Sequence, residues 1–428
     1  MSDAAQVGAR PAPSVKTLVI MAVPAVAVGI VSALMLWLLD AVSGWLEGLL
    51  WETIPHAFGA SESTPWWIFT VLTATGAAVG LVVWLVPGHA GPDSATTELV
   101  SRPLRLRVLP GLLLAVVLSL AGGVSLGPEN PIIAINTALS VAVLARFAKR
   151  IPQQLVLMLA AAGTIGALFG TPIAAALLFT GTVAAIKGSG ALWDKLFLPV
   201  AAAGAGALTM HLIGGSSMAF QVAPITHPDG WMLLWGVLVA AVSAGIGILC
   251  AWALPLVHRA FHALRNPLLV SLAGGVVLGL LGMLGGPMTL FKGLEQTGAL
   301  ISHPDDYGAG QLALFAGVKV LALLVAAAAG FRGGRIFPAV FIGTALGLLA
   351  HVLFPGIPLS LAIACGALGI VLVAARDGWI AMFVGAALVG DPAVLPMLCI
   401  IVLPVWLLVT KAPELVVKPR GATALSRL

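Results

Sequence analysis

Charge is what this chain has least of. Lys and Arg number 21 and Asp and Glu 16 in 428 residues, so charged side chains make up 9% of the sequence. Soluble domains carry roughly a quarter, and no stretch here is polar enough to form one. The three cysteines, Cys250, Cys365 and Cys399, sit inside apolar runs, which argues against a disulfide framework, a redox pair or a thiolate metal site. Tyrosine occurs once, as Tyr307 in the polar stretch 303–310, so a buried site elsewhere has no phenol to use. There is no H-E-x-x-H, no P-loop and no paired C-x-x-C, and neither a metal nor a cofactor is expected.

Hydrophobic residues are plentiful, at 60% of the chain, and mean hydropathy is +1.10. That is the composition of an all-α integral membrane protein, since a span needs about 20 apolar residues. Apolar segments lie near 18–39, 66–86, 108–121, 131–145, 155–168, 173–186 and 196–213, then 231–256, 268–284, 312–329, 336–353, 359–374, 379–389 and 393–409. Several are too short to cross, which suits half-helices buried in protein and facing a cavity. The division expected is a polar tail (1–15), a first membrane repeat (16–213), a Gly/Pro/Ser-containing linker (214–230), a second repeat (231–410) and a short basic tail (411–428). Basic residues gather in connections and tails, such as Arg102, Arg105 and Arg107, which reads as topology and not as nucleic-acid binding. Arg10 and Lys16 before the first apolar segment predict a cytoplasmic amino terminus of a multi-pass cell-membrane protein with no cleaved signal.

The chain also repeats itself. Gly123, Gly127, Pro131, Ile135, Thr137, Ala138 and Leu139 recur in order as Gly330, Gly334, Pro338, Ile342, Thr344, Ala345 and Leu346, at a constant offset of 207. Each copy opens with a Gly/Pro-rich break and runs into an apolar helix. Interrupted helices at matching places in two repeats point to a binding site near the bilayer midplane.

The first break reads G-V-S-L-G-P-E-N-P and puts Glu129 where a helix begins. A helix amino end offers free N–H groups and about half a positive charge, so it can hold a carboxylate or, in its place, a mobile anion. Glu129 would then occupy the site when ionised and leave it when protonated, a gate coupled to pH; as a plain structural cap it would do neither. The second break reads G-F-R-G-G-R-I-F-P, where Ile336 stands in place of Glu129. Its amides at Ile336 and Phe337 are expected to face the same site, with Gly127 and Asn130 contributing from the first break and Arg335 adding charge, snorkelling or pairing with an acid.

At these residues the chain resembles the CLC family of chloride channels and proton-coupled anion transporters, over nearly the whole membrane body. G-P-E-N-P from Gly127 is similar to the family's G-x-E-G-P segment, which would make Glu129 its gating glutamate. G-G-R-I-F-P from Gly333 resembles G-x-F-x-P, whose amides bind the anion. G-H-A-G-P-D from Gly88 falls where the family has G-S-G-I-P-E, and G-T-P-I-A from Gly170 resembles an asparagine-alanine-proline stretch that starts a later helix. The resemblance implies two inverted-topology repeats with broken and re-entrant helices, a small-anion substrate with chloride as default, protons as a second substrate in some members, and a homodimer in the bilayer. Three family side chains are missing: His89 or Ala90 stands near the central serine, Asp391 near the pore tyrosine, and Thr182 at the inner proton-relay glutamate. Channel and exchanger both stay open, and selectivity falls mainly to backbone amides.

Two other functions fit parts of the sequence. A cation or small-solute transporter would use Asp391, Asp377, Asp93 and Glu98, although Asp93 and Glu98 also suit the start of a short helix. G-V-S-L-G at Gly123 fits G-x-S-x-G, with Ser125 as nucleophile and His211 or His351 as base. In the repeat register Ser125 corresponds to Arg332, so the glycines serve backbone geometry and an enzyme is not expected.

Overall fold

The computed structural model describes residues 15–147, 151–170, 172–180, 183, 192–215 and 218–418. The helices are α1 (Val15–Gly48), α2 (Ile54–Ala57), α3 (Pro65–Leu85), α4 (Leu109–Ala121), α5 (Glu129–Phe147), α6 (Gln153–Phe169), α7 (Pro172–Leu178) and α8 (Leu192–Leu212). They continue as α9 (Gly230–His262), α10 (Pro267–Gly285), α11 (Leu294–Ser302), α12 (Ala309–Ala328), α13 (Ile336–Leu353), α14 (Leu359–Ala375), α15 (Gly378–Val389) and α16 (Val394–Thr410). Among the described residues eight helices are long and apolar enough to cross a membrane, while α4, α6, α14, α15 and α16 are apolar but shorter. Thr182 lies outside the described residues.

The chain forms two compact units, 1–37 with 136–217 and 38–135 with 218–428. In the first, Ala25, Val28, Leu159, Ala160, Leu198 and Ala202 make a buried apolar cluster. Gly29, Gly163 and Gly206 leave no room for a Cβ against neighbouring backbone there, so the helices approach closely, as small residues allow in a membrane. In the second unit the same device joins α3 to α10, where a Cβ on Gly76 would strike the Ser271 carbonyl and one on Gly275 would strike the Leu72 carbonyl.

The second unit holds both breaks, and they match in detail. Helix α4 ends at Ala121 and α12 at Ala328; α5 begins at Glu129 and α13 at Ile336, so the offset of 207 seen in the sequence holds at both edges. Gly123 and Gly330 turn the chain with φ +82° and +79°, a left-handed conformation glycine adopts without a steric penalty. Pro131 and Pro338 fall in the first turns of their helices, where a missing N–H leaves no intrahelical bond unmade. Between turn and helix, Gly127 and Gly334 pair with each other as an antiparallel bridge, with N···O distances of 2.9 and 2.6 Å. Equivalent residues that pair antiparallel are related by a local two-fold axis, as the two inverted repeats of the fold require.

One expected element is different. The short helix anticipated after Gly91-Pro92 is a single turn over residues 94–96. Asp93 still caps it, with Oδ1 accepting from the Thr96 amide at 3.0 Å and the Thr96 hydroxyl at 2.7 Å.

Candidate functional site

Glu129 is the first residue of α5 and is fully buried, at 0% exposure. Its Oε1 accepts hydrogen bonds from the Ile336 amide at 2.5 Å and the Phe337 amide at 3.3 Å, the opening N–H groups of α13. Arg335, the residue before α13, supplies no side-chain cap, so the orphan donors of one break are met by the carboxylate of the other. Glu129 thus lies on the amide of its own counterpart, Ile336, at the positive end of the helix dipole. Its Oε2 has no hydrogen-bond partner among the described residues. Glycine is needed on both sides of this carboxyl: a Cβ at Gly334 or at Gly127 would overlap the Glu129 side chain. A void of about 20 Å³ lies beside the start of α5, lined by Ser94, Thr97, Asn130, Pro131, Arg332 and Gly333. That is room for about one water-sized occupant.

Of the residues singled out from sequence, Glu129, Ile336 and Phe337 come together. The others are placed differently. The Gly127 amide donates to Gly334, so it is committed to the bridge. Asn130 lines the void and its Nδ2 donates to the Thr97 carbonyl at 3.3 Å. Arg335 is buried, does not snorkel and forms no ion pair among the described residues: its guanidinium donates to the carbonyls of Ser94 at 3.0 Å, Thr97 at 2.8 Å and Leu415. His89 is turned back on α3, with Nδ1 2.8 Å from the Val83 carbonyl, which leaves that nitrogen protonated and donating to protein. Asp391 is a structural acceptor, taking the Ile225 amide on Oδ2 at 2.8 Å and the Ala393 amide on Oδ1 at 2.9 Å just before α16.

Two important side chains escaped the sequence reading, Arg332 and Ser94. Residues Gly88, His89, Ala90 and Gly91 are consecutive with positive φ (88°, 52°, 53° and 67°). For His89 and Ala90 this conformation costs about 1–2 kcal/mol each. Arg332, 5% exposed, holds the turn together by donating to the carbonyls of His89 at 2.9 Å, Ala90 at 2.9 Å, Gly91 at 2.8 Å and Gly330. Ser94 then latches the turn to the second break: its hydroxyl lies 2.9 Å from the Phe331 carbonyl and 2.8 Å from that of Gly333, and accepts from the Gly333 amide at 2.9 Å. Two arginines and a serine therefore fix the backbone that presents the Ile336 and Phe337 amides. The signal in the sequence was Arg332 and Arg335 flanking paired glycines, where a buried charge has to find carbonyls.

Beside Ser94, Asp93 meets His258 and His262, 3.1 and 3.5 Å from its Oδ2. Burial alone would raise the Asp93 pKa, but hydrogen bonds from His258 and Thr96 and the charge of Arg332 outweigh it and hold the group at about 2. The spacing of His258 and His262, four apart, is the one local sign of this cluster, and it leaves out Asp93, which is 165 residues from His258.

The acids of the cation reading do not gather into one site. Asp391 and Asp93 are engaged as above, Asp377 caps α15 by accepting from Ile380 at 2.8 Å, and Glu98 is exposed. Ser125 is buried, with no hydrogen-bond partner for its hydroxyl among the described residues, and His351 Nδ1 is held by the Ile357 carbonyl at 2.6 Å. No pair of Ser125 with a base forms among the described residues.

The family described as "Voltage gated chloride channel" matches residues 75–407. A protein of Escherichia coli O6:H1 named "Putative ion-transport protein YfeO" is 46% identical over 407 residues, 95% of this chain and 96% of its own length. The same-named protein of strain K12 / DH10B has the same identity and coverage. Among solved structures, a slow cyanobacterial Cl-/H+ antiporter matches with TM-score 0.76 and 19% identity over 94% of this chain and 96% of that one. A CLC-type fluoride/proton antiporter matches with TM-score 0.69 and 19% identity, covering 94% and 98%. A eukaryotic CLC transporter matches with TM-score 0.71 and 16% identity, covering 94% and 74%.

Proposed function

Since the chain belongs to the voltage gated chloride channel family, and so is a multi-pass ion-transport protein with the CLC fold rather than an enzyme, we propose that it moves small inorganic anions, chloride by family default, along a path gated by Glu129. The observation that carries this reading is the Glu129 carboxylate seated on the Ile336 and Phe337 amides. Two amides at a helix start are an anion site whatever the anion is. While the carboxylate holds them, an external anion has to displace a tethered competitor. Protonation removes the negative charge that these amides favour, so the side chain leaves and an anion takes its place. Neither His89 nor Asp391 donates to this site, so selectivity rests on backbone dipoles, the size of the void and the field of Arg332 and Arg335. The functional unit we propose is a homodimer with one path in each subunit, inserted in the cell membrane.

The test is anion efflux from proteoliposomes across a range of pH, with valinomycin clamping voltage and proton movement followed in the same vesicles. Glu129→Gln should carry anions with little dependence on pH, whereas the native chain should speed up on acidification. Uphill proton movement accompanying the anion gradient identifies exchange, and its absence identifies a passive channel. If no anion moves through either protein, the reading is wrong.

A further inference from the structure

Outside the gate, the cluster of Asp93, His258 and His262 has geometry that the transport path does not use. His258 and His262 are four apart on the last turns of α9 and therefore share a face. Their rings stack, with centroids 3.8 Å apart, and both Nε2 atoms turn to the same oxygen, Asp93 Oδ2, at 3.1 and 3.5 Å. A tetrahedral metal with bonds of about 2.0–2.1 Å sets its ligands about 3.3 Å apart, so two of the three edges already have the required length. All three ligand atoms lie within 4.8 Å of one another.

The hydrogen bonds prepare the same atoms for a cation. His262 Nδ1 lies 3.0 Å from the His258 carbonyl, an acceptor only, so Nδ1 carries the proton and neutral His262 presents a lone pair on Nε2. That lone pair faces a carboxylate oxygen, an arrangement that needs a cation between the two or a second proton on the ring. A backbone carbonyl fixing the far nitrogen is the usual support of a metal-binding histidine. Asp93 Oδ1 is likewise fixed by Thr96, which leaves Oδ2 for a ligand role. The carboxyl end of α9 adds negative potential. His262 keeps 39% of its side chain exposed and borders a cavity of about 310 Å³, so an ion can enter and a fourth ligand has space. Arg265 and Arg332 line that cavity and favour an anionic fourth ligand, hydroxide or halide. Arg332 is already committed to four carbonyls.

We propose that Asp93, His258 and His262 form a binding site for a divalent transition metal of the zinc class, with two imidazoles and one carboxylate as ligands and one position open to the cavity. Bound metal ties the end of α9 to the turn that carries Ser94, and so stiffens the support of the gate without touching the anion path. The site stands apart from the transport reading, because its test does not need transport.

The full chain, purified in detergent without a polyhistidine tag, is titrated with Co2+ and with Zn2+. Expected are the visible bands of low-coordinate Co2+, one equivalent of Zn2+ per chain by calorimetry, and a rise in thermal midpoint with Zn2+. His262→Gln and His258→Gln should each weaken binding by about 10-fold or more and remove the bands. Asp93→Asn should do the same, but Asp93 also caps the 94–96 turn, so the more exposed His262 gives the cleaner variant. Absence of saturable Zn2+ binding by the native chain overturns the proposal, and so does one equivalent of unchanged affinity in the His258→Gln/His262→Gln double variant.

Discussion

At the scale of single residues, the gate depends on two missing side chains as much as on the carboxylate that is present. A Cβ at Gly334 would overlap Glu129, so Gly334→Ala should push the carboxyl off the Ile336 and Phe337 amides while leaving the amides in place. A hydrogen bond to a charged group is worth about 1.5–3 kcal/mol, and losing it should raise anion flux near neutral pH by about tenfold. The same substitution on a Glu129→Ala background should have little effect, because its target is gone. Equal effects in both backgrounds, measured as efflux, would show that Gly334 acts by another route. Much of this was legible in the sequence: an acid just after a Gly-Pro break, opposite a break without one, already pairs Glu129 with Ile336. Arg335 was harder to read, since only the fold brings the Ser94, Thr97 and Leu415 carbonyls within its reach. His89 was misleading because its left-handed backbone, invisible in the sequence, turns the ring toward Val83.

At the scale of elements, the turn over 88–91 is stable only as a partner of the second break. Four residues in a row have positive φ, and three of them, His89, Ala90 and Gly91, leave their carbonyls to Arg332. Arg332→Gln cannot reach all of them, and each buried carbonyl left without a donor costs about 1–3 kcal/mol. A loss of about 3 kcal/mol or more is expected, seen as a lower thermal midpoint in detergent by several degrees; an unchanged midpoint would mean that the turn holds itself. Arg332→Lys should rescue only part, since an ammonium lacks the planar fork. The helices around the site were easier to anticipate than the turn. Apolar runs and Pro/Gly breaks placed the starts of α5 and α13, because those residues act locally. The turn is built by contacts some 240 residues away in sequence, which no local pattern encodes.

At the scale of the whole molecule, the family resemblance and the surface rich in exposed Leu, Val and Trp lead to a prediction about assembly. In lipid vesicles at low protein density, a singly labelled chain should bleach in two steps, as a homodimer does. Single-step bleaching throughout would remove the dimer while leaving the gate untouched. The pairing of Gly127 with Gly334 and of Glu129 with Ile336 also has a meaning in time. The partners are 207 residues apart, and at about 5–20 residues per second a ribosome needs roughly 10–40 s to make the second after the first. For that interval the first break sits in the translocon or the bilayer with its acid but without the Ile336 and Phe337 amides that later receive it. The early half of the chain is therefore born with this acid short of its later donors, and its need for an insertase or holding partner should end only when the second break is delivered.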